Sequence, residues 1–234
     1  MPEFRPSRFE ILPVVIKNLL ILNGLVFFAQ FTFEQRGSEW INDMFALHDV
    51  RSVYFRPHQL ITHMFMHGNF GHIFFNMFVL WMFGSTLENI WGAKRFLGFY
   101  LVCGIGAAAL YLLTLYYENT PVWELFSRLS PDQQEVWRYS HNFKINGTTV
   151  GASGAVFGCL AAFGYLFPNS LIYLYFLVPI KAKWVVGGLI LVELWMGIQN
   201  SASDNVAHWA HLGGALVGFL IVYYWNRNNR RRFY

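Results

Sequence analysis

Four places in this sequence hold residues of the types that move protons or attack carbonyls. Ser153 stands between glycines in Gly151-Ala152-Ser153-Gly154. There a chain can turn sharply into a helix whose free first-turn N–H groups face a bound atom. His211 lies in His208-Trp209-Ala210-His211-Leu212-Gly213-Gly214. His72 and Asn76 are four residues apart, so on a helix they share one face a turn apart. His63 and His67 bear the same relation, although Gly68 and Gly71 make continuous helix there less secure. Glu88 and Glu193 are acids inside apolar stretches. A serine, a histidine and a His/Asn pair supply a nucleophile, a general base and donors for a developing oxyanion. Singly, a glycine-flanked serine or a lone histidine is more often packing. On three separate segments, and at matching ends of them, they point to acyl transfer.

The elements that position these residues follow from composition. The chain has 234 residues, of which 55% are hydrophobic, 19% aromatic and 13% charged, against roughly 25% charged in an ordinary soluble chain. Mean hydropathy is +0.35. So few charges could hardly cover a water-soluble surface, and an all-α, polytopic membrane protein is expected. Disorder, collagen and a disulfide scaffold are excluded. Cys103 and Cys159 both sit in apolar runs and read as small core residues, not a disulfide.

Six spans are expected within a single domain covering 1–234, at about 11–33, 70–90, 96–117, 150–167, 184–198 and 206–225. The apolar segment 171–180, followed by Lys181 and Lys183, reads as an interfacial stretch before the fifth span. Long outer loops cover 34–62 and 118–147. In the first, Trp40, Ile41, Met44 and Phe45 fall on one helical face, the pattern of a short helix lying in the membrane interface. The second carries no recognisable motif beyond Asn146-Gly147-Thr148, a glycosylation triplet of little weight alone. With both termini in the cytoplasm, eleven of the 17 Lys and Arg fall on that side, among them Arg5, Arg8, Lys94, Arg95, Arg230, Arg231 and Arg232. The positive-inside rule therefore supports this topology, and the basic tail reads as a topology signal instead of a nucleic-acid patch. The short N-terminus without a transit-type segment points to a bacterial cytoplasmic membrane.

His211, Gly214 and Gly218 share a face, as do Gly154 and Gly158. Small residues at this spacing let two membrane helices approach closely. Pairing the fourth and sixth spans through these faces brings His211 near Ser153.

The sequence resembles the rhomboid intramembrane serine proteases over about 55–224. His67, His72 and Asn76 match the His-x-x-x-x-His-x-x-x-Asn of the family's second span. Gly151-Ala152-Ser153-Gly154 matches the Gly-x-Ser-Gly that opens the fourth, and Ala210-His211-x-x-Gly214 matches the Ala-His-x-x-Gly of the sixth. Glu88 and Arg95 fit the polar cluster at the cytoplasmic end of the second span. The resemblance implies a six-helix bundle and a Ser153–His211 dyad with no acid orienting the base. His72, Asn76 and the Ser153 N–H would form the oxyanion hole. His67 would support the first outer loop, and Gly151, Gly154, Phe157 and Gly214 would shape the site. It also implies transmembrane protein substrates within the lipid bilayer, lateral substrate entry past the fifth span or the first loop, no cofactor, no metal and no nucleic acid. Two departures stand out. Phe157 replaces the tyrosine that packs on the catalytic histidine in a well-known form of the family, and His58-Gln59 replaces the Trp-Arg pair often found in the first loop. Against a transporter, no inverted repeat is visible and the polar residues gather at one depth. Against a metalloprotease at His63, His67 and His72, there is no His-Glu-x-x-His.

Overall fold

The computed structural model describes residues 9–174, 177–199 and 206–228. Arg5, Arg8, Arg230, Arg231 and Arg232, part of the charge argument, lie outside the described residues. In chain order the helices are α1 (Val14–Glu34), α2 (Trp40–Phe45), α3 (Gln59–Thr62), α4 (Phe70–Val79), α5 (Ser85–Trp91), α6 (Ala93–Glu118), α7 (Thr120–Ser127), α8 (Pro131–Arg138), α9 (Ser153–Leu166), α10 (Ala182–Gln199) and α11 (His208–Asn228). A π-helical turn, Leu80–Gly84, joins α4 to α5, so the two form one continuous helix. The described residues also form four short strands: β1 (Leu47–His48) pairs antiparallel with β2 (Thr148–Thr149), and β3 (Leu171–Leu174) with β4 (Val178–Lys181).

Among the described residues, four helices are long and apolar enough to cross a membrane: Val14–Glu34, Phe70–Trp91, Ala93–Glu118 and Ala182–Gln199. Helix α9 is apolar but has only 14 residues, and α11 has 21. With these helices the chain is an integral membrane protein. Within the expected segment 171–180, β3 pairs antiparallel with β4, with Ile172 opposite Ile180. Ile172 is buried while Leu171 and Tyr173 are exposed, the alternation of a one-sided strand. A continuous apolar run hides that period from sequence reading.

Helix α9 lies at the centre, with ten of its 14 residues buried. Helices α6, α10 and α11 pack around it. The expected close approach of the glycine faces is present. A Cβ on Gly218 would lie 2.6 Å from the carbonyl oxygen of Gly158, and one on Gly214 would overlap the carbonyl of Gly154. Only hydrogen at these positions allows α9 and α11 to touch backbone to backbone. Beneath them Phe96, Phe99, Tyr100, Cys103 and Cys159 form the apolar core, and both cysteines are free and buried, as expected.

Glu88 ties the N-terminal helix to the bundle. Pro13 sits at the N-cap of α1 and offers no side-chain acceptor. Glu88, 4% exposed, replaces it from α5: its two carboxylate oxygens accept the N–H groups of Val15 at 2.8 Å and Ile16 at 2.9 Å. An anion at a helix N-terminus satisfies orphan donors and the helix dipole together. Arg95 lies over the ring of Trp225, 3.9 Å from its centre.

The outer loops are held by polar contacts. Arg51 pairs with Asp49 at 2.8 Å, and Asn119 donates to the same carboxylate at 3.0 Å. Burial pushes the Asp49 carboxyl up, but the bonds from Arg51 and Asn119 outweigh it and hold the group below its ordinary value. Asn146 is buried and donates to the carbonyls of Arg138 and Ser140, so its amide is not presented as a glycosylation acceptor. The departure at His58-Gln59 has a structural use. Gln59 is buried and donates to the carbonyls of Asp43 and Tyr54, and His58 Nε2 lies 2.7 Å from the carbonyl oxygen of Met44.

Candidate active site

Ser153 is the first residue of α9, and the backbone reaches it through Gly151 at φ +138°. A side chain is strained at that φ. It would also meet the His72 ring, whose Nε2 lies 2.9 Å from where a Cβ would stand. Glycine is thus required for the serine and His72 to come together. The Gly151 N–H donates to the His63 carbonyl at 2.9 Å, which fixes the segment leading into α9.

Helix α11 brings His211 to the serine, with Nε2 2.7 Å from Ser153 Oγ. Phe157, one turn into α9, stacks face to face on the His211 ring with centroids 4.5 Å apart and planes 6° apart. The ring stacking of the family's tyrosine is therefore available to phenylalanine, without the hydroxyl. The pair opens on a cavity of about 740 Å³, lined also by His72, Asn76, Tyr111 and Phe157.

The donors are arranged as follows. Gly68 N–H donates to His72 Nδ1 at 3.4 Å, so the neutral tautomer carries its proton on Nε2, the atom facing Gly151. Asn76 donates one amide hydrogen to the His72 carbonyl at 3.0 Å, which leaves its second for the cavity. The Ser153 N–H lies in the first turn of α9, where no helical carbonyl precedes it. His67 is buried and sets its ring edge against that of His72, centroids 5.1 Å apart. Its backbone N–H donates to Gln30 of α1 at 3.0 Å. Ser153, His211, His72, Asn76, His67, Phe157, Gly151, Gly154 and Gly214 thus come together, whereas Glu88 lies apart on the capping contact.

Two residues were not placed at the site by sequence reasoning. Gln30 positions His67, and nothing local in α1 marks it. Glu193, noted only as an acid in a span, lies on α10 with Oε2 2.8 Å from His211 Nδ1 and 2.7 Å from His208 Nδ1. His211 therefore has an acid on its far nitrogen, where the family resemblance implied none. Ligand atoms of Glu193, His208 and His211 lie within 4.8 Å of one another, close enough to hold a cation.

These features define a polytopic helical membrane protein with a cavity at the head of a central short helix, lined in part by Ser153, His211, His72 and Asn76. The particular family comes from comparison with known proteins. The model of the rhomboid domain matches residues 54–228, and the chain belongs to the rhomboid family. It is 30% identical to RHOMBOID-like protein 12, mitochondrial, of Arabidopsis thaliana, over 94% of this chain and 60% of that protein. It is 32% identical to Rhomboid protein 1, mitochondrial, of Saccharomyces cerevisiae, over 70% of this chain and 41% of that protein. It is 30% identical to Rhomboid protease AarA of Providencia stuartii, over 68% and 52%. The chain spans about half the length of these relatives. Two of the three are named as mitochondrial, so the similarity lends no support to the expected bacterial cytoplasmic membrane.

Proposed function

We propose that the chain is an intramembrane serine endopeptidase that cleaves transmembrane segments of membrane-protein substrates. Ser153 is the nucleophile, His211 its base, and His72, Asn76 and the Ser153 N–H hold the oxyanion. The observation that carries this reading is the 2.7 Å approach of His211 Nε2 to Ser153 Oγ inside the cavity that His72 and Asn76 also line. His211 takes the serine proton as Oγ adds to a backbone carbonyl. It then protonates the leaving amine as the C–N bond breaks, and water hydrolyses the acyl-enzyme by the same steps in reverse.

In this reading the bundle is a single domain with six spans, α9 and α11 joining the four other apolar helices, and both termini face the cytoplasm. Helix α9 supports a recessed site. Its 14 residues make it about 21 Å long, short of the ~30 Å hydrocarbon core. Its serine end therefore lies below the outer surface when its other end reaches the inner face. Water enters from outside. A substrate helix must unwind locally to expose a carbonyl, which favours helix-breaking and small residues near the cut.

The test is cleavage, by purified protein in detergent, of a fusion protein carrying one transmembrane helix weakened near its outer end. Wild type cuts, and Ser153→Ala and His211→Ala do not. Equal cleavage by wild type and both variants would sink the assignment.

A further inference from the structure

We propose that Glu193 is the positioning acid of this site: with His208 as its clamp, it fixes the tautomer and ring orientation of His211, so that the base works in a three-membered Ser153–His211–Glu193 relay and not as a dyad. The inference rests on the reading of Ser153 as nucleophile and deepens it.

The geometry is specific. An ionised carboxylate only accepts, so both ring nitrogens facing Glu193 Oε2, at 2.7 and 2.8 Å, carry hydrogen. A proton on His211 Nδ1 leaves the Nε2 lone pair free, and that nitrogen is the one 2.7 Å from Ser153 Oγ. Glu193 thereby selects the one neutral tautomer able to accept the serine proton. As Oγ bonds to the attacked atom, its proton moves to Nε2. The imidazolium keeps its Nδ1 proton, and the carboxylate stays ionised beside it. The three side chains are only 7–13% exposed, so water screens the interaction weakly.

The packing supports a built arrangement. A Cβ on Gly197, one turn beyond Glu193, would meet His208 Cβ at 3.3 Å and the Trp209 ring at 3.4 Å, so glycine lets α10 close on α11 at this level. His208 bonds the same carboxylate oxygen as His211 and keeps it from swinging away. Among the described residues, the titratable groups facing the pair are few. His208 comes from α11, Ser153 from α9, and His72 of α4 and Tyr111 of α6 face it across the cavity. Helix α9 carries no charged residue, and Lys183 lies at the far end of α10. A divalent cation on the same three side chains would need the Nδ1 lone pair of His211. It would push the ring proton to Nε2 and disable the base.

The experiment measures the second-order rate at which a fluorophosphonate modifies the detergent-solubilised protein, from pH 5 to 9, with and without a chelator. Serine attacks phosphorus, fluoride leaves and the serine proton passes to His211, so no natural substrate is needed. Glu193→Gln keeps an acceptor and removes the charge. It should label about a hundredfold more slowly, because the imidazolium that forms as fluoride leaves has lost its counter-ion. Glu193→Asp, which keeps the charge, should fall between, and it decides the matter if Glu193→Gln does not fold. Equal slowing in both variants, or wild-type labelling by Glu193→Gln, would reduce Glu193 to packing and overturn the proposal. Loss of wild-type labelling with the chelator would overturn it in favour of a metal site. Labelling of Ser153→Ala at the wild-type rate, or an unreactive wild type, would overturn the nucleophile assignment beneath it.

Discussion

In the proposed reaction the contact between α9 and α11 sets the distance across which the proton moves, and Gly214→Ala tests that contact. A Cβ there would overlap the Gly154 carbonyl and stand 2.6 Å from its carbon, whereas ordinary contact begins at 3.4 Å. The obstacle is backbone, which has no rotamer to yield, so the helices must part by about 0.8 Å or more. Ser153 and His211 ride on these two helices. The same displacement stretches their 2.7 Å contact to about 3.5 Å, at the edge of hydrogen bonding. A misplacement of about 1 Å can cost roughly a hundredfold in rate, and overpacking of this kind costs about 1–3 kcal/mol of stability. The assay compares turnover of the transmembrane fusion by Gly214→Ala and by Gly188→Ala, each with its thermal midpoint in detergent. Gly188 has nothing within 4 Å of its added Cβ, so that variant should match wild type. A Gly214→Ala enzyme that cut within about twofold of wild type would refute the argument that glycine contact sets the proton-transfer distance.

Two further outcomes follow from the buried acids. Glu88→Ala strips both N–H acceptors from the first turn of α1 and should cost about 2–4 kcal/mol, read as a lower thermal midpoint in detergent; an unchanged midpoint would refute the capping account. Asp49 is held below its ordinary value of 3.8, so its contribution is complete above that pH and is lost as pH falls through the lower, folded value. Amide exchange around Arg51 and Asn119 should quicken over that range in wild type, and Asp49→Asn should show no such step.

Much of the site was legible because its parts are local. Gly151-Ala152-Ser153-Gly154 needs only adjacent residues to announce a sharp entry into a helix, and the glycine spacing of α9 and α11 foretold which faces would meet. What stayed hidden depends on rotation and distance. Glu193 is 15 residues from His208 and 18 from His211. Only the packing of α10 on α11 decides that its side chain faces them and not lipid. The pairing of β3 with β4 was hidden for another reason: an unbroken apolar run has the same composition as a strand pair, an interfacial stretch or a piece of span. The π turn at Leu80–Gly84 has no sequence period of its own. It lies where Gly84 meets Ile16, whose Cδ1 would be 2.6 Å from an added Cβ, a tertiary contact that no local window contains.

The contact between Glu88 and α1 separates two boundaries that are often treated as one. The match to the rhomboid domain begins at residue 54, although similarity to the Arabidopsis relative covers 94% of the chain. Yet a carboxylate well inside the matched region finds its hydrogen-bond donors at Val15 and Ile16, and Ile16 is fully buried in the shared core. A chain cut at residue 54 would keep the acid and lose its donors, leaving a buried carboxylate without a partner. The bounds of the matched domain and the bounds of the packed core therefore differ in this protein, and the core begins at least 38 residues earlier, at Ile16.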